Sequence, residues 1–161
     1  MGYDRRRGIG DMKKKDLIPA EGELAYSQET MTKDDYVRLA TFRFAIRRFL
    51  VYSQTNARTH GLTPQQHQAL LSIRGFPGRD MITIGELADH LCLKHHSAVE
   101  LVNRLSALGL VYRETSQDDR RNVLVGLTPT AEKLLASLSA NNFNELTRLK
   151  PFMFALIKSL G

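Results

Sequence analysis

The chain has 161 residues, one cysteine and a formal net charge of +6 at pH 7, so it is long enough for one domain with its own hydrophobic core. It lacks a run of about 18 apolar residues and an apolar stretch behind its charged N-terminus, so we expect neither a membrane span nor a secretory signal. The single thiol, Cys92, excludes an internal disulfide, which fits a reducing compartment such as the cytoplasm.

The excess of basic residues is concentrated at the N-terminus. Residues 1–15 carry six basic and two acidic side chains, a charge of +4, so the rest of the chain carries only about +2. Residues 1–30 show no sustained apolar period, and we predict that they form a flexible basic arm. This arm is either a solvated tail or a segment that contacts DNA phosphates.

The first predicted helix covers about 32–58, with Thr32 as its cap and Asp35 at the third helical position. Its apolar residues recur at helical spacing in two stripes rather than one. The stripes contain Val37, Leu39, Phe42, Phe44, Ile46, Phe49, Leu50 and Val51. A single small core rarely needs two buried faces on one helix, so we expect this helix to form part of a dimer interface.

Two further helix starts are visible in the middle of the chain. The segment TPQQ at 63–66 is a capping box with proline at the first helical position, and TIGE at 83–86 is a second box. A turn-rich break at 75–80 separates the helices that they begin. The second of these helices is short and ends near residue 91.

A tight connection of Cys92, Leu93 and Lys94 leads into another amphipathic helix, which Gly109 can end in a left-handed conformation. The small Ala88 permits a close helix crossing and Leu93 can fill the corner, as a helix-turn-helix requires. We predict that Cys92 is a buried, unreactive turn residue rather than a redox sensor.

After Gly109 the apolar period changes from that of a helix to that of a strand. Residues 110–115 and 123–127 predict two strands, joined by a polar turn at 116–122. A hairpin with a charged tip directly after a helix-turn-helix is a wing.

The last helical region begins at Thr128 and Pro129, and Pro151 is expected to restart or kink it. Its apolar face and that of the first helix lie outside the winged part and suit a partner subunit. Packing within one chain is the alternative.

The predicted fold is mainly α with a small β-hairpin wing. We expect a single domain at 31–161, in which dimerisation helices at about 32–58 and 129–161 flank a winged helix-turn-helix core at about 62–128.

Several segments of this core form a recognisable pattern: LTPQQ (62–66), IGELA (84–88), NRL (103–105) and GLV (109–111). The most specific part is the wing pattern D-x-R-x-x-x-V-x-L-T, which is matched by Asp119, Arg121, Val125, Leu127 and Thr128. With these segments the chain resembles the MarR family of bacterial transcription regulators. The resemblance implies a cytoplasmic homodimer that binds double-stranded DNA, with recognition helices in major grooves and wings in flanking minor grooves. In many members it also implies repression that an effector relieves.

The N-terminal turns of a recognition helix point into the groove, so His95, His96, Ser97 and Glu100 are the candidates for base contacts. Histidine can donate to guanine, serine can contact either purine, and glutamate can accept from cytosine. Both histidines, Glu100 and Asn103 depart from the residues that are usual in the family, so the base sequence that is recognised stays open.

Other charged residues are assigned to the DNA backbone and the wing. Lys94, Arg104 and Arg120 are predicted to contact phosphates, which set the register on the duplex. Arg121 is predicted to enter the minor groove, and Asp119 to brace the wing arginines or Arg104. A solvated helix face and an ordinary polar hairpin are the alternative for each.

The resemblance further implies a small aromatic or phenolic effector between the dimerisation helices and the DNA-binding part. Tyr52, His67 and Arg74 are the candidate residues of that wall, with ordinary packing as the alternative for the first two.

A metal site is an alternative for four residues near the turn, because His90, Cys92, His95 and His96 are metal-ligand types close together in the chain. Their spacing matches no common zinc pattern, so we predict no metal and no cofactor.

The sequence therefore predicts a homodimeric, sequence-specific repressor that binds a pseudo-palindromic operator. The alternative is a winged-helix protein-interaction module with only non-specific DNA affinity. We do not expect an enzyme, because the sequence shows no phosphate loop, nucleophile–base pair or clustered carboxylates.

Overall fold

The computed structural model describes residues 31–115 and 123–158. Its elements in chain order are α1 (Lys33–Thr59), α2 (Pro64–Arg74), β1 (Met81–Thr83), α3 (Ile84–His90), α4 (His95–Ala107), β2 (Val111–Thr115), β3 (Val123–Leu127) and α5 (Pro129–Lys158). The three strands form one antiparallel sheet in the order β1-β3-β2. The predicted class, mainly α with a small wing, is confirmed. The predicted basic arm lies outside the described residues.

Local hydrogen bonds begin the helices where the sequence predicts them. Thr32, Thr63 and Thr83 each form a complete capping box with the side chain three residues later. Thr128 caps α5 by accepting from the Ala131 amide at 3.3 Å. Each such cap contributes about 1 kcal/mol, which sets the register of the helix rather than the tertiary fold.

At the corner of the helix-turn-helix, Leu93 lies where the sequence predicts it, but Cys92 is not buried as predicted. Leu93 packs against the core, and its amide donates to the Ala88 carbonyl at 2.8 Å. Cys92 takes the left-handed conformation, with φ of 54°, and its side chain is exposed. The prediction of a buried Cys92 is wrong, because Leu93 rather than Cys92 fills the corner.

Two other features differ from the expectation. Strand β1 was not predicted, because three residues are too few to show a period; its Ile82 is fully buried and pairs with Val125 of β3. A helix restart at Pro151 is wrong, since α5 continues through this exposed proline to Lys158. The continuation costs one intrahelical hydrogen bond at an exposed position.

Most of the core lies in the winged part of the chain, and α5 adds Ala131, Leu135 and Leu138 to it. Leu70, Ile73, Leu87, Leu101 and Leu105 are each no more than 1% exposed. Helices α1 and α5 pack against each other and leave large apolar side chains exposed along α1 before Tyr52 and along α5 after Asn142. None of the helices in the described ranges is long and apolar enough to cross a membrane.

Candidate nucleic-acid interface

Helix α4 has two opposite faces. Ala98, Leu101, Val102 and Leu105 are at most 1% exposed and attach the helix to the core. The other face is polar and open to solvent, and it carries the residues predicted from the sequence: Lys94, His95, His96, Glu100 and Arg104, with Ser97 half-buried beside them. The structure therefore brings the predicted recognition residues together on one accessible surface, which we call the α4 surface.

The start of α4 differs from the other helix starts in lacking a side-chain cap. Lys94 occupies the N-cap position without a capping hydrogen bond from its side chain. The amide groups in a first helical turn have no partners within the helix and carry partial positive charge, which suits a phosphate oxygen. Lys94 and the two exposed histidines add donors at the same end of the helix.

The wing is described only along its strands. β2 and β3 pair from Val111 opposite Leu127 to Thr115 opposite Val123. The predicted wing residues Asp119, Arg120 and Arg121 lie in the turn outside the described residues, so their roles stay predictions.

Sequence reasoning missed a link between the wing and α4. Arg113 on β2 donates from Nη2 to Oδ1 of Asn103 on α4 at 2.5 Å, and both residues are exposed. Asn103 was noted only as a departure from the family pattern. The signal for this link in the sequence was Arg113 itself, a basic residue on the strand that follows α4.

The three residues predicted for an effector site are only partly brought together. Arg74 lines a groove of about 210 Å³ between α2 and α5, with Leu71, Gly75, Glu132, Leu135, Ala136 and Ser139. His67 lies two helical turns before Arg74 on the same face of α2, where it is 3% exposed and its Nε2 has no hydrogen-bond partner. Tyr52 is half-buried on α1 and does not line the groove.

Charge in the groove comes from Arg74 and from the carboxylate of Glu132. The Arg74 guanidinium forms an ion pair with Asp80, and its Nε lies 4.0 Å from Glu132 Oε1. All three side chains are more than half exposed, so these pairs are weak and can exchange for another anion.

The four potential metal ligands near the turn are all described. His90, Cys92, His95 and His96 are each exposed. Within the described ranges no group of three or more histidine, cysteine, aspartate or glutamate side chains is arranged to hold a metal ion.

The sequence profile of the MarR family matches residues 60–122. This range contains α2, β1, α3, α4 and β2, and thus the whole α4 surface. In this part, residues 60–122, the chain is similar to the MarR family. The relatives that match this chain are named as transcriptional regulators.

Among its relatives is a protein of Thauera aromatica that is assigned as a transcriptional regulatory protein for the hcr operon. The two sequences are 32% identical over 96 residues, which is 60% of this chain and 56% of the relative. The matched part of this chain thus spans little more than half the length of that protein.

Two solved structures share the fold. The MepR–DNA complex of S. aureus has a TM-score of 0.55 at 22% identity and covers 74% of this chain and 94% of MepR. NadR in complex with 4-hydroxyphenylacetate has a TM-score of 0.61 at 19% identity and covers 84% of this chain and 94% of NadR. At these identities the likeness establishes the winged-helix fold.

Proposed function

We propose that this protein is a homodimeric repressor that binds a pseudo-palindromic duplex through α4 and the wing, and that a small aromatic effector releases it. The observation that carries the proposal is the α4 surface: exposed histidines and cations on the open face of a helix whose other face is fully buried. Such a helix can enter a major groove without exposing the core.

The residues of the α4 surface divide by their place on the helix. His95, His96 and Ser97 are in the first turn and Glu100 is one turn later, so these four are assigned to base edges. Lys94 and Arg104, like Arg120 of the wing tip, are assigned to phosphates, and Arg121 to the minor groove.

The exposed apolar side chains of α1 and α5 support a homodimer. On α1, Phe44 and Val51 are 55% and 63% exposed, and on α5, Phe143 and Phe154 are each 68% exposed. Apolar residues on two adjacent helices outside the core suit an interface with the same surface of a second copy. Two copies related by a two-fold axis would present two α4 surfaces to one duplex.

The α2–α5 groove is the proposed effector site. Arg74 offers a cation that is only weakly paired, while Leu71, Leu135 and Ala136 offer apolar contact. That composition suits an aromatic carboxylate, and the structure of NadR shows that protein with 4-hydroxyphenylacetate. His67 and Tyr52 stay candidates for the wall only if a partner subunit or a ligand rearranges it.

The decisive experiment is selection of bound duplexes from a random DNA pool, followed by a salt titration on the selected site. We expect an inverted repeat with half-sites about one helical turn apart and a steep loss of affinity with salt. Arg121→Ala is expected to weaken binding to that site by about 1–3 kcal/mol. Equal, weak binding to all sequences would favour the protein-interaction module instead.

The effector proposal has its own test. Hydroxylated aromatic carboxylates, beginning with 4-hydroxyphenylacetate, are titrated into the protein–operator complex and release of DNA is followed by fluorescence anisotropy. We expect release from the wild type and little from Arg74→Gln, which keeps operator affinity. Equal release from both proteins would place the effector elsewhere.

A further inference from the structure

A buried cluster of amide side chains joins α1 to α5. Asn56 Nδ2 donates to the Leu138 carbonyl at 3.1 Å and to Asn142 Oδ1 at 3.3 Å. Asn141 Nδ2 donates to Asn56 Oδ1 at 3.2 Å. Asn56 and Asn142 are 8% and 7% exposed. Both N–H donors and the carbonyl acceptor of the Asn56 side chain therefore form hydrogen bonds with α5.

A cluster of this kind specifies the register of two helices. Apolar side chains tolerate small shifts between helices, because their contacts have no direction. A buried amide is satisfied in one arrangement and loses its partners in neighbouring ones. A single buried asparagine fixes the register of coiled coils in the same way.

The cluster lies at the boundary between the winged core and the exposed parts of α1 and α5. Ala57, next to Asn56, and Leu138, its partner on α5, are both fully buried members of the core. Away from the core, the next residue on α5 after Asn142 is Phe143, which is 68% exposed, and Val51 on α1 is 63% exposed. The amides thus separate the part that would bind DNA from the part that would dimerise.

Polar contacts continue on both sides of the cluster. The Asn56 carbonyl accepts from the Thr59 hydroxyl at 2.8 Å and lies 2.8 Å from His60 Nδ1, at the end of α1. On α5, Glu145 is 7% exposed and lies 3.9 Å from Nη2 of Arg48 on α1. Of these contacts the Arg48–Glu145 pair joins the two helices, about two helical turns from Asn56 along α1.

We propose that Asn56 is a positioning residue that sets the distance between the two α4 surfaces of the dimer and thereby the half-site spacing of the operator. This inference rests on the proposed dimeric DNA binding. A slip of one residue along a helix is about 1.5 Å. The same slip in both protomers sums to about 3 Å, which is close to the 3.4 Å rise of one base pair. A change of one residue in the α1–α5 register that Asn56 specifies would therefore change the half-site spacing by about one base pair.

The test compares Asn56→Leu with wild type on the selected operator and on duplexes whose half-sites are one or two base pairs closer or farther apart. Dissociation constants are measured by fluorescence anisotropy at one salt concentration. Wild type is expected to lose about tenfold per base pair of altered spacing, similar to a mismatched base pair. Asn56→Leu is expected to discriminate less than about threefold while its affinity for a single half-site stays unchanged.

Two further variants keep the test informative. Thr55→Leu changes an exposed polar residue next to Asn56 on α1 and is the matched control, with wild-type spacing discrimination expected. Asn141→Ala removes only one of the three hydrogen bonds of Asn56, so it is expected to fold even if Asn56→Leu does not and to discriminate to an intermediate degree.

The outcomes separate the two proposals. If variants of the cluster lower thermal stability but keep the spacing discrimination of wild type, or lose affinity equally on every duplex, the positioning role is overturned and dimeric DNA binding stands. If wild type itself shows no spacing preference, the proposed function fails and the positioning role fails with it.

Discussion

Arg113 on the first strand of the wing donates a hydrogen bond to Asn103 on α4, at 2.5 Å between Nη2 and Oδ1. The two residues are ten positions apart and come from different elements. Their contact fixes the base of the wing relative to the helix that carries the α4 surface. Both parts of the proposed DNA interface therefore share one attachment.

Loss of this contact should affect DNA binding more than folding. Because both side chains are exposed, Arg113→Ala and Asn103→Ala are each expected to lower the free energy of unfolding by less than about 1 kcal/mol. Each is expected to weaken operator binding several-fold, measured by fluorescence anisotropy, because the wing stem is no longer held. Lys158→Ala, at the far end of α5, is the control. Unchanged operator affinity in both variants would contradict this role.

The two ends of the α4 surface should respond differently to substitution. His96→Ala is expected to change the base preferred at one position of each half-site, because a first-turn side chain faces base edges. Arg104→Ala is expected to weaken binding to all sequences and to reduce the salt slope by about 1. Repeating the duplex selection and the salt titration with each variant measures both effects. A uniform loss across sequences for His96→Ala would place this residue on phosphates instead.

His67 should make the protein less stable in mild acid. Burial, and secondarily the charge of His60, hold the pKa of His67 below its usual 6.5. The unfolded chain therefore binds a proton at a pH where the folded one does not, and stability falls as the pH decreases below about 6.5. His67→Leu removes this effect and an unpaired buried nitrogen, so it is expected to raise the free energy of unfolding by roughly 1 kcal/mol at pH 7.

Urea unfolding at pH 7 and pH 5 measures the His67 effect. The advantage of His67→Leu should grow at pH 5, whereas His96→Ala, which changes an exposed histidine, should keep the pH dependence of wild type. An equal advantage at both pH values would show that His67 is not the titrating group.

The capping box of α3 should make the stability of the fold depend on pH in a second range, which lies at lower pH than that of His67. Burial raises the pKa of Glu86, but hydrogen bonds from Thr83 and the charge of Arg79 outweigh it, so the pKa lies below the usual 4.5. The ionised form thus stabilises the fold above that pH, and the contribution is lost as the pH falls through the lowered pKa. Glu86→Gln keeps the cap geometry and should cost less than about 1 kcal/mol at pH 7, because the carboxylate is partly exposed.

Unfolding at pH 7, 5 and 3 separates charge from capping at α3. The difference between wild type and Glu86→Gln should shrink as the pH falls from 7 to 3, because the carboxylate of Glu86 is progressively protonated. Thr83→Ala should cost about 1 kcal/mol at pH 7, because it removes the cap itself. A Glu86→Gln deficit that is as large at pH 3 as at pH 7 would point to lost packing rather than lost charge.

Much of the fold could be predicted because its signals are local. The caps at Thr32, Thr63 and Thr83 join groups three residues apart, and Gly109 ends α4 with φ of 66°. Such bonds depend on neighbouring residues alone, so residue types in order are sufficient to find them. The exposed face of α4 was predictable for the same reason, since helical spacing separates it from the buried leucines.

The tertiary structure decided the contacts between residues that lie far apart in the chain. Asn56 meets Leu138 and Asn142 across 82 and 86 residues, and Ile82 becomes a strand residue only because β3 lies beside it. Cys92 is exposed because Leu93 occupies the corner. A residue's sequence neighbours do not specify these outcomes, because burial and pairing depend on which distant surface packs against it. Local chemistry therefore determined the helices and the candidate recognition residues, and packing alone determined how the wing, the α4 surface and the α1–α5 pair are joined.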